Sequence, residues 1–305
     1  MLEKTGHTRT GLWLALAAAI VSGVAVFVNA YGVRAVPDAG VYTTAKNLVA
    51  ATILIGLFAG DARLRRLPRL SAISVAGLAA VAVIGGSIPF VLFFEGLARA
   101  SSSQTAFIQK TLVVWVALLA VPLLGERLGP LHFAAIGTLM VGQVVLAGGI
   151  DGLRFGTGEW LVLAATLLWA VEVVIARRLL RDLPADLVAV ARMGGGVVLL
   201  LGWVALSGRW HTLSSMTPTA WAWAGLTGLI LAVYVALWFT ALALAPAVDV
   251  TAVLVVAAVI TGALNAAVKG TAIGLTTGVG LTAVVAGTTL AILAARRRAP
   301  VRAPA

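Results

Sequence analysis

Apolar residues run along this chain in ten long stretches, separated by short polar or glycine- and proline-containing segments. The stretches lie near 11–33, 39–60, 71–98, 102–124, 130–149, 158–176, 187–206, 219–243, 248–268 and 271–294. Each is close to the roughly 20 residues that cover a hydrocarbon core of about 30 Å at 1.5 Å per helical residue. Lipid offers no partner for a free backbone N–H or C=O, so every stretch is predicted to be a helix. Short connections then force neighbours to run antiparallel. The expectation is an all-α membrane protein with ten transmembrane helices. The first stretch is too long for the apolar part of a signal peptide, and no clear cleavage site follows it. It reads as a permanent span.

Composition agrees. Of 305 residues, 61% are hydrophobic and 11% charged, against about 25% charged in a soluble domain. A net charge of +11 raises the question of nucleic acid. The bases sit in short loops rather than on one face with interleaved aromatics, which argues against that partner. With no cysteine, disulfides and thiolate metal sites are excluded, and no metal or cofactor is expected.

The loop bases also orient the chain. With the N-terminus in the cytoplasm, fourteen fall inside: Lys4, Arg9, Arg63, Arg65, Arg66, Arg69, Arg127, Arg177, Arg178, Arg181, Arg296, Arg297, Arg298 and Arg302. Five fall outside, namely Arg34, Arg99, Arg154, Arg209 and Lys269, and three lie within spans. That bias supports ten spans in a plasma (bacterial inner) membrane with both termini cytoplasmic. Trp160, Trp203, Trp210, Trp221 and Trp223 fall near outer ends, as interfacial aromatics do.

The spans divide into two fives, 1–150 and 151–305, joined around 151–158. Gly96-Leu97-Ala98-Arg99-Ala100 closes the third span of one half and Ala241-Leu242-Ala243-Leu244-Ala245 that of the other. Leu112-Val113-Val114 then matches Leu254-Val255-Val256, and Lys46 after Pro37 matches Arg192 after Pro184. Five is odd, so the second half would insert upside down. Inverted repeats are a common transporter plan, with the solute site near the midplane.

This pattern resembles the drug/metabolite transporter superfamily, specifically its EamA-type ten-helix members. The resemblance is carried by Gly96-Leu97-Ala98-Arg99-Ala100-Ser101-Ser102 and by Pro122-Leu123-Leu124-Gly125-Glu126-Arg127-Leu128, similar to a signature at the inner end of the fourth helix. Leu168-Trp169-Ala170, Lys46 and Arg192 fit as well. The second half lacks the Gly-Glu-Arg signature, with Val268 or Thr271 at the glutamate position. Equal gating by both halves is therefore not expected. The resemblance implies a secondary transporter, an exporter of a small metabolite, amino acid or drug. It would work by alternating access with proton coupling or exchange, as a monomer or homodimer in the bilayer.

Ionisable groups deep in a span are costly and are the first candidates for function. Lys110, beside Gln109, is the deepest, and no acid lies three or four residues away. Glu172 either pairs with Lys110 or Lys46, or titrates as a proton-coupling carboxylate, or leans to the inner interface near Arg177. Lys46, next to Asn47, is a candidate for a cavity wall. Arg192, close to the inner end, is expected to snorkel to the headgroups. Glu95 and Arg99 are spaced for an intrahelical ion pair. Asp249, after Pro246, is expected to cap the ninth helix.

Gly85, Gly86 and Pro89 interrupt the third span, so a kink is expected there. Gly194-Gly195-Gly196 reads as a close-packing site. Trp115, Trp169 and Trp238 lie at mid-span, where they wall a cavity, face lipid or pack in the core. Glu126 and Arg127, at an inner helix end, fit a gate or a fixed loop. No glycine-rich stretch is followed by Lys-Ser or Lys-Thr, which argues against ATP hydrolysis. His7, His132 and His211 are scattered, which disfavours the alternative of a polytopic membrane enzyme. A sensor would want a soluble output domain.

Overall fold

The computed structural model describes residues 2–36, 38–60, 70–100, 102–149, 155–269 and 274–297, with backbone only at 2–6, 102, 103 and 269. Pro37, Arg63, Arg65, Arg66, Arg69, Ser101, Asp151, Arg154, Thr271, Arg298 and Arg302 lie outside the described residues, as do the side chains of Lys4, Ser102 and Lys269.

The helices are α1 (Leu2–Gly32), α2 (Ala39–Ala59), α3 (Ala72–Ile84), α4 (Ile88–Leu97), α5 (Ser102–Lys110), α6 (Leu112–Leu124), α7 (Pro130–Leu146) and α8 (Thr157–Leu179). There follow α9 (Ala185–Val190), a π-helical turn (Ala191–Gly195), α10 (Gly196–Leu206), α11 (Trp210–Ser214), α12 (Pro218–Leu244), α13 (Ala247–Leu254), α14 (Ala257–Lys269) and α15 (Leu275–Arg297). Among the described residues nine helical stretches are long and apolar enough to cross a membrane. The tenth, α7, has 17 residues, at the short end of the roughly 17–25 that suffice. The chain therefore makes ten passes. Passes three, four, seven and nine are built as α3–α4, α5–α6, α9–α10 and α13–α14. The face where α1 begins and α15 ends is the termini face, and its opposite is the far face.

Contacts between helices are preserved when the halves are exchanged. Pass one lies on pass eight, and pass six on pass three. Pass one also packs on pass nine and pass six on pass four, while α2 meets pass seven and α7 meets α15. This is the two-fold relation of two inverted five-helix repeats.

Small residues let the helices close. A Cβ on Gly142 would lie 2.9 Å from the Gly280 carbonyl, and one on Gly287 2.9 Å from the Leu139 nitrogen, so α7 and α15 cross with backbones nearly touching. At mid-depth Gly86 approaches the π-helical turn: its Cβ would lie 2.0 Å from the Arg192 carbonyl, and that of Gly196 would lie 2.5 Å from the Gly86 carbonyl. The expected kink in the third span is a full break, 85–87, after which Pro89 sits in the first turn of α4. There its missing N–H costs nothing. The triple glycine does allow close packing, within a widened helical turn that the sequence pattern does not show.

Gly86→Ala is accordingly expected to destabilise the protein by about 1–3 kcal/mol through overpacking. Gly137→Ala, in a helical position with nothing within 4 Å, is expected to be neutral or mildly stabilising. Thermal unfolding in detergent compares the two.

Packing differs strongly between the faces. The largest apolar cluster gathers residues from the termini-side half of the passes, among them Leu12, Leu54, Val116, Ala120, Leu180, Val188, Phe239, Leu242, Ala247 and Val248. Toward the far face lies a cavity lined by residues of both halves.

Candidate functional site

The cavity has a volume of about 450 Å³ and takes walls from both halves. Val33, Arg34, Ala39, Leu97 and Ala98 line it at the far-face helix ends, while Glu172, Arg192, Tyr234 and Trp238 line its deeper part. Its volume falls within the roughly 300–1,000 Å³ of small-molecule sites. Phe90, Phe93, Phe94 and Trp169 form an aromatic wall, with edge contacts between Trp169 and Phe90 at 5.7 Å and between Phe93 and Phe94 at 5.4 Å.

The broken third pass sets one side of the site. Its turn exposes the Gly85 carbonyl, which accepts a 3.2 Å hydrogen bond from Trp169 Nε1. Glu172 lies so close that a Cβ on Gly85 would fall 2.4 Å from its Cγ. Glu172 Oε1 accepts from Arg192 Nε at 3.0 Å, with the side chains only 2% and 7% exposed. The Arg192 guanidinium also lies 5.5 Å from the Phe90 ring centre. Two sequence-based expectations are corrected here. Glu172 pairs with neither Lys110 nor Lys46, and Arg192 does not snorkel. The break in pass three and the wide turn in pass seven leave room for an arginine to fold inward onto a carboxylate.

Lys46 occupies the matching place in the first half. Its Nζ donates to Asn29 Oδ1 at 3.2 Å and lies 4.3 Å from the Phe94 ring centre. The Tyr42 hydroxyl ties the same amide to Thr227, at 3.0 Å and 2.9 Å respectively. Superposing the repeats in sequence sets Val28-Asn29-Ala30-Tyr31-Gly32-Val33-Arg34 on Val171-Glu172-Val173-Val174-Ile175-Ala176-Arg177. Asn29 thus stands where the second half has Glu172, and Lys46 where it has Arg192. One half holds an ion pair; the other holds a cation against a neutral amide.

Lys110 ends α5 at the break before Thr111, and both Lys110 and Gln109 line the cavity. Of the three mid-span tryptophans, Trp169 and Trp238 wall the cavity. Trp115 is outside that wall: it donates to Thr111 Oγ1 at 3.0 Å and packs on the apolar core. Arg127 is exposed.

Glu126 has a more definite place. Its carboxylate accepts from the backbone N–H groups of Ala247 at 2.6 Å and Val248 at 3.2 Å. It therefore satisfies the first turn of α13 from across the boundary between halves, where the helix dipole favours a negative charge. Asp249 is not the cap. Pro246 holds that position, and buried Asp249 lies 3.3 Å from His132 Nε2 of α7.

Two arginines complete this closed end. Arg177 donates to the carbonyls of Leu242 and Ala243 at the end of α12, and Arg181 donates to the Leu124 carbonyl at 3.0 Å. On the far face, Arg99 pairs with Glu95 at 2.5 Å as the spacing suggests, and Arg209 joins Asp38 and Glu95 at 3.3 and 3.4 Å. Among the described residues no group of three His, Cys, Asp or Glu side chains forms a metal site.

The sequence pattern does not single out Asn29, Tyr234, Phe90, Phe93 and Phe94, which line the cavity, or the His132–Asp249 contact. An amide within an apolar span is the available signal for Asn29. The phenylalanines carry none, since aromatics in a membrane helix equally face lipid.

Known proteins bear directly on this architecture. The family model of the EamA-like transporter family matches residues 9–148 and again 156–293. The Uncharacterized transporter sll1164 of Synechocystis sp. is 25% identical over 197 residues, which is 61% of this chain and 56% of that protein. The match thus spans little more than half of the relative's length. A solved crystal structure superposes with a TM-score of 0.75 at 20% identity, covering 95% of this chain and 99% of its own, a likeness of fold alone. With two consecutive matches covering nearly all of its length, the chain belongs to the EamA-like transporter family and is a multi-pass membrane protein.

Proposed function

We propose that the protein is a secondary transporter of the plasma membrane, an exporter that moves a small solute by alternating access. The observation that carries this reading is the cavity at mid-depth between inverted halves, sealed toward the termini face and reaching the far face. In an inverted repeat, a shape open to one side has a counterpart with the halves' roles exchanged, open to the other. The excess of bases at the termini face supports a cytoplasmic location for it.

The repeat also supplies a mechanism for closing. Arg177 grips the Leu242 and Ala243 carbonyls on the sealed side. Its counterpart is Arg34, and theirs are Leu97 and Ala98, which all line the mouth of the cavity. Closing the far face would bring Arg34 onto those carbonyls while Arg177 lets go of its own. The solute, bound between, passes from one face to the other. The Glu172–Arg192 pair is already closed on itself, which favours solute exchange or facilitated movement over a proton carried on Glu172.

Purified protein in liposomes tests this. Saturable counterflow of at least one member of a panel of amino acids, organic acids and cationic drugs is expected. Arg34→Ala is expected to slow that flux by about tenfold, the equivalent of one charge-assisted hydrogen bond, while equilibrium binding persists. Absence of flux across the whole panel would overturn the transport reading.

A further inference from the structure

The charges around the cavity do not balance. Its lining holds four bases, Arg34, Lys46, Lys110 and Arg192, and among the described residues one acid, Glu172. Glu172 is taken by Arg192. Lys46 has Asn29 and the faces of Tyr42 and Phe94, an arrangement that holds a cation without cancelling its charge. Lys110 borders the same space with no carboxylate described beside it. Away from water an uncompensated ammonium is costly, and a guest of opposite sign removes that cost.

The other half of the molecule indicates which guest. Where Arg192 has the Glu172 carboxylate, Lys46 has the neutral amide of Asn29. The place of an anion in the first half is thus left for something from outside the chain. Beside it stand Phe90, Phe93 and Trp169, which suit an apolar or aromatic body.

Resting on the transport reading above, we infer that the solute is an organic carboxylate with an apolar body, its charged end neutralised by Lys46 and Lys110 and its body laid against the aromatic wall. Cationic compounds are disfavoured by the same charges. Discrimination by net charge, rather than by size, is the property these residues confer.

A matched series isolates charge from shape: 3-phenylpropanoate, 3-phenylpropanamide and 3-phenylpropylammonium, with butanoate, butanamide and butylammonium as a smaller set. The readouts are thermal stabilisation of the purified protein and inhibition of whatever flux the broad panel establishes. Each carboxylate is expected to act at concentrations about 10- to 100-fold below its own amide, the range of a desolvated charge-assisted contact, and the ammonium compounds to act least. Lys46→Met and Lys110→Met are each expected to shrink that ratio, and Lys46→Arg to keep most of it. Melting curves without ligand identify any variant that fails to fold, and the wild-type ratios stand without the variants. If carboxylate and amide act alike in both sets, or the ammonium compounds act best, the inference fails while transport stands. If no solute of any charge moves, the transport reading itself has failed.

Discussion

Glu172→Gln is expected to lower the stability of the folded protein by about 3–5 kcal/mol, because it strands a buried guanidinium. Arg192 is 6% exposed and enclosed by Phe90, Phe239 and the glycine break of pass three. Once the carboxylate is neutral, no described acid of the cavity lining is left to replace it. The pair as a whole need not be strongly stabilising, since desolvation of both ions offsets much of their attraction. The double variant Glu172→Gln with Arg192→Met is therefore expected to recover most of the loss. A double-mutant cycle read by unfolding in detergent measures the coupling. Should Glu172→Gln melt as the wild type does and lose only flux driven by a pH gradient, Glu172 is a proton carrier and the pair is not structural.

The broad architecture is legible in the sequence because lipid permits so few solutions. Ten apolar stretches, loop bases and a repeated alanine-rich closure are enough to anticipate ten passes in two opposed halves. The breaks at Thr111 and at Val255–Val256 are not legible, because no proline or glycine marks either one. Depth along a helix is readable; direction around it is not. Lys46, Lys110, Glu172, Trp169 and Trp238 stand out by depth and do line the cavity, whereas Trp115, at a similar depth, turns to the core. Arg192 misleads because proximity to a helix end normally lets a long basic side chain reach water. Here the π-helical turn rotates it inward, and a one-residue change of helical winding has no clear mark in sequence. Asp249 resembles a cap on local spacing alone, while the first-turn amides of that helix are satisfied from 121 residues away, by Glu126.

That remote cap would make the two ends of the proposed transport pathway differ. On the termini face, three contacts hold the closed end: Arg177 on the α12 carbonyls, Arg181 on the Leu124 carbonyl and Glu126 on the α13 amides. The far face has the counterpart of Arg177, namely Arg34, but no acid at the position of Glu126, where Val268 or Thr271 falls. With that acid present in one half only, the proposed equilibrium between the two closed ends would be tilted toward the shape described here. Glu126→Ala removes hydrogen bonds to a charged acceptor, worth about 1.5–3 kcal/mol, and is expected to raise the fraction open to the termini face roughly 10- to 150-fold. The natural absence of cysteine makes this measurable with single introduced thiols. A cysteine at Ala98, on the mouth of the cavity, should react more slowly with an impermeant maleimide in the Glu126→Ala background. A cysteine at Val248, buried under the closed end, should react faster. Equal rates at both positions with and without the substitution would mean that Glu126 only fixes a loop, and that the asymmetry between the faces has another origin.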